Sequence, residues 1–291
     1  MMSQSSENNT VSDKNDENNE TNASGVNSSK FVNDSATSSI NSEELEKFAK
    51  MADEWWDPTG KFKPLHKFNP CRINYIKEIV TKSHKKLLNI DNNPDLSFDA
   101  DKPFAGLKIL DIGCGGGLLA EPMAKLGADV TAIDALEKNI KIAKIHAEQS
   151  QLEINYLAMT VEELLAETAN EDKYDVILTM EIVEHVNNPA EFIDNCSKLL
   201  ADNGHLFIAT LNRTIKSYVL AIIGAEYVMR WLPVGTHQWH KFLYPQEIEK
   251  FISNTAVKLQ SVKGATYNIL KDKWAISNDT SVNYVMHFIN N

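Results

Sequence analysis

The chain has 291 residues, 43% of them apolar, which is enough for one large domain or two small ones. Its formal net charge of −11 argues against binding the phosphate backbone of nucleic acid, where affinity comes from Lys and Arg. The cysteines Cys71, Cys114 and Cys196 are odd in number and spaced for neither zinc nor a disulfide framework, so a reducing compartment is expected.

In chain order, residues 1–42 come first, dominated by Asn, Ser, Asp, Glu and Thr. Such a segment buries too little apolar surface to offset its ordering entropy, and a disordered tail is expected. It holds no apolar signal core and no arginine precedes Arg72, so no targeting leader is read there. No apolar run is long enough for a transmembrane helix, and a cytoplasmic location is expected. Glu43 to Ala52 reads as a helix on the spacing of Leu45, Phe48 and Ala49, with Asn41 or Ser42 as its cap. Trp55 and Trp56 lead into a turn at 57–60, residues 70–90 read as an amphipathic helix begun by Pro70, and 91–106 as a linker. Residues 43–106 are thus expected to form a helical cap and linker ahead of the domain at 107–291.

From there strands and helices alternate. Leu107–Ile112, Val130–Ile133, Ile154–Ala158, Tyr174–Met180 and Gly204–Leu211 read as strands. Between them fall helices at Leu118–Leu126, Leu136–Ser150, Val161–Glu167 and Pro189–Leu200, the first stopped by Gly127. This order implies parallel βαβ units in a doubly wound α/β sheet. An apolar stretch at Tyr218–Leu232, a helix from Pro245 to Ser253, and strands at Val257–Val262 and Val282–Phe288 complete the chain.

In such a sheet the first strand-to-helix turn is the ligand crevice. Here it reads Asp111-Ile112-Gly113-Cys114-Gly115-Gly116-Gly117. Glycines let the backbone approach a ligand and take positive φ. A dinucleotide would want a third glycine where Leu118 stands, so that fingerprint is broken. Asp111 suits a ligand with a positively charged amino-acid end, and Asp134, ending the second strand, suits ribose hydroxyls.

Leu110 to Gly117 resembles the first motif of class I S-adenosylmethionine-dependent methyltransferases. Further segments sharpen the match: Lys63-Pro64-Leu65-His66, Asn69-Pro70-Cys71-Arg72, Met180 to Val186, Thr210-Leu211-Asn212-Arg213, Gly224-Ala225-Glu226-Tyr227 and Gly235-Thr236-His237. Together they resemble the ubiquinone-biosynthesis O-methyltransferase family, from about Glu43 to the C-terminus. The resemblance implies a Rossmann-like, mostly parallel seven-stranded sheet with an antiparallel C-terminal strand and a helical N-terminal cap. It implies a polyprenyl catechol or quinol substrate (2-polyprenyl-6-hydroxyphenol and 3-demethylubiquinol) and a bacterial enzyme peripheral at the inner membrane face, near other enzymes of the pathway. It also carries over Arg72, Gly113, Asp134 and Met180 as cofactor-binding positions, beside Asp111 and Gly115 from the loop itself. Arg72 would pair with the methionine carboxylate, and Met180 would be a soft, polarizable wall near the adenine or sulfonium.

Glu181, Glu184 and His185 share a face if their segment is helical. They could ligate Mg²⁺ or a similar ion that lowers the pKa of a catechol oxygen, as eukaryotic family members are thought to do. Equally, Glu181 or His185 could serve as general base without a metal, or the cluster could simply line the pocket. His237, His240 and Lys241 are further candidate bases. Tyr218–Leu232, within a substrate cover at about 213–240, is expected either to meet the bilayer and admit the prenyl tail or to pack as a core helix. Trp55, Trp56, Lys63, Pro64 and His66 are candidates for a lid over the cofactor, though tryptophan pairs also serve as core anchors. Two other classes stand beside this reading: an NAD-type oxidoreductase on the same sheet and a non-catalytic quinone-binding scaffold. Within the enzyme class, another small phenol or quinone precursor is the alternative substrate.

Overall fold

The computed structural model describes residues 46, 52–89, 98–168, 173–220, 222, 238–268 and 270–291. All lie in one compact unit, 37–291. The expected tail lies outside the described residues, as do nearly all of the helix expected at Glu43–Ala52 and most of Tyr218–Leu232.

Among the described residues, eight strands form one sheet: β1 (Lys108–Ile112), β2 (Asp129–Asp134), β3 (Asn155–Ala158), β4 (Tyr174–Met180), β5 (Leu200–Leu211), β6 (Val257–Asn268), β7 (Lys273–Ser277) and β8 (Asn283–Asn290). Their order is β3-β2-β1-β4-β5-β8-β6-β7. The first five are mutually parallel, and β8 runs antiparallel between β5 and β6. The sheet therefore has one strand more than the expected seven. The addition is β7, which pairs antiparallel with the far half of β6. The sequence hid it because Lys-Trp-Ala-Ile-Ser is short and only half-buried, with no clear apolar alternation.

The central strands are apolar on both faces because helices cover both. On one face Ile109, Val130, Ala132, Val176, Leu178 and Phe207 pack under α1 (Lys63–Leu87), α2 (Ala120–Lys125) and α3 (Glu137–Gln149). On the other, Leu110, Ile112, Ile133, Ile177, Leu206 and Ile208 pack under α4 (Val161–Glu167), α5 (Pro189–Lys198) and α6 (Pro245–Ile252). Alternate residues of each strand thus belong to different cores, the period-two signature of a strand.

Helix α1 begins at Lys63, with Pro64 in its first turn and Pro70 in its interior, so the expected start at Pro70 is corrected. An interior proline removes a helical hydrogen bond. The helix persists because Asn69, Arg72, Ile76, Val80 and His84 are buried along one side of it. Gly127, at φ +98°, follows the cap residue Leu126 and ends α2 as expected.

Candidate active site

Strand order reverses between β1 and β4, which opens a crevice at their carboxyl ends. The glycine loop fills it. Gly113 and Cys114 both donate backbone N–H to Ile133 O, at 2.8 and 3.0 Å, tying the loop to β2. Gly113 and Gly117 take φ of +71° and +87°. A Cβ at Gly113 would fall 2.2 Å from Ile182 Cδ1, and one at Gly117 2.2 Å from Tyr156 Oη. Both positions therefore demand glycine on conformation and on space.

Asp134 is oriented by the same loop. Gly115 N donates to its Oδ2 at 2.9 Å, and Leu136 N and Asn139 Nδ2 donate to Oδ1 at 2.8 and 3.2 Å. These three bonds fix the carboxylate and leave room for a further hydroxyl donor, since a carboxylate offers about four acceptor sites.

Beside the loop lies a buried charged group. Asp111 is 3% exposed, and its Oδ2 has no hydrogen-bond partner. Burial pushes its pKa up to about 7, against the pull of Arg72. Arg72, also buried, donates from Nη2 to Asn69 Oδ1 at 3.1 Å, while its Nε is unpartnered. Burial lowers its pKa, and the charges of Glu181 and Asp111 oppose that. An unpaired guanidinium N–H and an unpaired carboxylate oxygen in one buried place suit a zwitterion that brings its own carboxylate and ammonium. Met180, the last residue of β4, lines a small cleft with Arg72, Phe68, Tyr75 and Ile276.

The segment after β4 departs from expectation. It is a turn, not a helix, so Glu181, Glu184 and His185 do not share a helical face. Glu181 adopts φ +60°, a left-handed conformation rare outside glycine and costing about 1–3 kcal/mol. Its N–H donates to Ala209 O at 2.9 Å. Glu184 is 4% exposed, and its Oε2 has no hydrogen-bond partner. Burial, reinforced by the charge of Glu181, raises its pKa well above the carboxylate range. Among the described residues, no group of three His, Cys, Asp or Glu is arranged to hold a metal ion. The three-ligand set offered by spacing is not found among the described residues, although the turn does bring the Glu181 and Glu184 side chains together.

Other site residues escaped sequence reasoning. Asn139 donates to Asp134 and accepts from Trp55 Nε1 at 2.9 Å. Asn69 donates to Leu118 O at 2.5 Å. A buried Asn in the first turn of a helix after a strand-ending Asp was the available signal for the first. The tryptophans do dock on the loop: Trp56 Nε1 donates to Gly116 O at 2.9 Å, its ring stacks on His146, and His66 Nε2 lies 2.9 Å from Trp55 O. His240 is exposed, Lys241 is half-buried, and His237 lies outside the described residues.

Residues 82–257, more than half of the chain, match the protein family described as a methyltransferase domain. The plantazolicin methyltransferase BpumL, solved with a pentazolic desmethylPZN analog and SAH, superposes with a TM-score of 0.52 at 20% identity, over 86% of this chain and 98% of that one. Magnesium protoporphyrin IX methyltransferase from Synechocystis gives 0.51 at 18% identity, over 86% and 96%. Fold, loop and family match define an S-adenosylmethionine-dependent methyltransferase of the class I, Rossmann-like kind. The ubiquinone biosynthesis O-methyltransferase of Pelagibacter ubique is 53% identical over 253 residues, 87% of this chain and 99% of that protein. Its counterpart from Caulobacter vibrioides is 51% identical over 85% of this chain and 94% of that protein. The chain belongs to the ubiquinone biosynthesis O-methyltransferase family.

Proposed function

We propose that this enzyme transfers the S-adenosylmethionine methyl group to a catechol-type hydroxyl of polyprenylated ubiquinone precursors, 3-demethylubiquinol and 2-polyprenyl-6-hydroxyphenol. The observation that carries the reading is the match, over nearly the whole length of those relatives, to proteins named for ubiquinone-biosynthesis O-methylation. The donor is already activated, so the protein's work is orientation and generation of phenolate. Arg72 and Asp111 hold the methionine end, Gly113 and Gly115 let the backbone approach it, Asp134 takes the ribose hydroxyls, and Met180 walls the sulfonium side. Glu181 is the first candidate to accept the phenolic proton, with His185 as the second candidate base.

A divalent cation such as Mg²⁺, if used, would be held by the Glu181 and Glu184 carboxylates. The unpartnered Oε2 of Glu184 and an oxygen-only donor pair suit such an ion. It would supply Lewis-acid stabilisation of the phenolate. No described helix is long and apolar enough to cross a membrane. Exposed Tyr218, Val219 and Leu220 support transient contact of the 213–240 cover with the bilayer where the prenyl substrate resides, near other enzymes of the pathway.

The test is methyl transfer from labelled S-adenosylmethionine to a short-chain demethylubiquinol, with and without a chelator. Product is expected. Loss with chelator and return with Mg²⁺ supports the two-carboxylate ion site, and indifference to chelator removes it. Binding of S-adenosylmethionine without product would mean a different phenol or a non-catalytic quinone binder. Liposome association unchanged by charged substitutions at Val219 and Leu220 would remove the membrane contact.

A further inference from the structure

The strand missing from the expected sheet leads to a role beyond the residues already assigned. Strands β6 and β7 form a hairpin that grips one face of α1. Lys67 Nζ meets Asp272 at 2.6 Å, the Phe68 and Trp274 rings lie 4.7 Å apart, and Tyr75 Oη is 2.9 Å from Ser261 Oγ. Cys71 meets the Ile276 backbone on the same side. Positions 67, 68, 71 and 75 recur at helical spacing, so the hairpin holds a face rather than a point. The exposed Lys67–Asp272 pair contributes little. The rings form a continuous row of tilted contacts: Tyr267 against Trp274 at 5.4 Å, Trp274 against Phe68, and the Arg72 guanidinium over the Phe68 ring at 4.8 Å.

The Arg72 head has one described hydrogen bond, to Asn69, and its Nε has none. The ring beneath it therefore shares its orientation with the charges of Glu181 and Asp111. We infer that the β6–β7 hairpin positions Arg72 through the tilted contact of Trp274 with Phe68, and so sets the affinity for the anionic end of the methyl donor. Trp274 and Phe68 are positioning residues that act through Arg72, and the inference rests on the cofactor reading of that arginine. Removing that contact lets the guanidinium rotate away from the cofactor carboxylate while the groups that generate phenolate stay in place.

The test is S-adenosylhomocysteine affinity by calorimetry, with steady-state kinetics, in Trp274→Ala and Phe68→Ala. Affinity is expected to fall about five- to tenfold, with the S-adenosylmethionine KM rising in step and kcat within about twofold of the starting protein. Trp274→Phe and Phe68→Tyr, which keep a ring, restore it. In an Arg72→Gln background, Trp274→Ala should add no further loss. An equal loss in both backgrounds overturns the inference while leaving Arg72 as a cofactor residue. Unchanged affinity in Arg72→Gln alone overturns the cofactor reading and the inference with it. Should Trp274→Ala not fold, Trp274→Leu keeps apolar volume without a ring and serves the same cycle.

Discussion

Asp111 shows how one buried carboxylate can couple ligand binding to pH. In the free protein, burial pushes its pKa up to about 7, so near neutrality it is partly protonated. The ammonium of a bound methyl donor would favour the ionised form and lower that pKa. Binding then expels a proton on the acid side of about pH 7, and affinity for S-adenosylhomocysteine should weaken as pH falls, at most about tenfold per unit. Calorimetry in buffers of different ionisation enthalpy reads the released proton directly. Asp111→Asn should abolish both the release and the pH slope. Binding by the unsubstituted protein with no proton exchange between about pH 6 and 8 would mean that Asp111 does not face the ammonium.

At the level of elements, the sheet contains a buried imidazole pair with a testable cost. His205 of β5 and His287 of β8 lie 2.8 Å apart, Nδ1 to Nε2, stacked with Phe207. Burial lowers both pKa values to about 4, and for His287 the neighbouring His205 adds to the effect. An unfolded histidine takes its proton near pH 6.5. Between about pH 6.5 and 4 the unfolded chain therefore binds more protons than the folded one, and stability falls with pH. The loss should approach about 2–3 kcal/mol per histidine at the acid end. Urea unfolding at about pH 7 and about pH 5 measures it, and the double variant His205→Phe/His287→Phe should flatten the slope. A flat profile in the unsubstituted protein would refute the argument.

The same scale shows what the sequence revealed. The β1 loop, Asp134 and the two-faced parallel core were legible, because strand-turn-helix order and continuous Val/Ile/Leu runs carry that information locally. The true start of α1 was obscured by two prolines of which only the first sits in the initiating turn. Strand β7 was invisible because pairing with β6, not its own pattern, makes it a strand. The turn at Glu181 was not legible because i, i+3, i+4 spacing records sequence distance, and whether the segment is helical, which decides its conversion into space, is set by a left-handed residue. Asn139 went unseen because its role needs Trp55 and Asp134, 84 and 5 residues away.

Over the whole molecule, the site joins segments far apart in the chain: the 52–87 region through Trp55, Asn69 and Arg72, the β1 loop, Asp134 of β2 and the turn after β4. A ligand that bridges them should stabilise them together. Saturation with S-adenosylhomocysteine at about 100 times Kd should raise unfolding free energy by about 2.7 kcal/mol. Hydrogen exchange should slow in 63–87 as well as in 111–118. Protection confined to the loop would mean that α1 does not contact the ligand.

The packing of Trp55 against the loop also constrains how the sequence can diverge. A Cβ on Gly115 or Gly116 would fall 2.3 or 2.5 Å from Trp55, so these glycines answer to the tryptophan as well as to any ligand. Mutational drift at 115 is therefore epistatic. A side chain at 115 would meet the far edge of the indole and so needs a smaller residue at 55, whereas one at 116 would meet Trp55 Cβ, which every residue but glycine carries, and position 116 is held to glycine by the path of the N-terminal backbone itself.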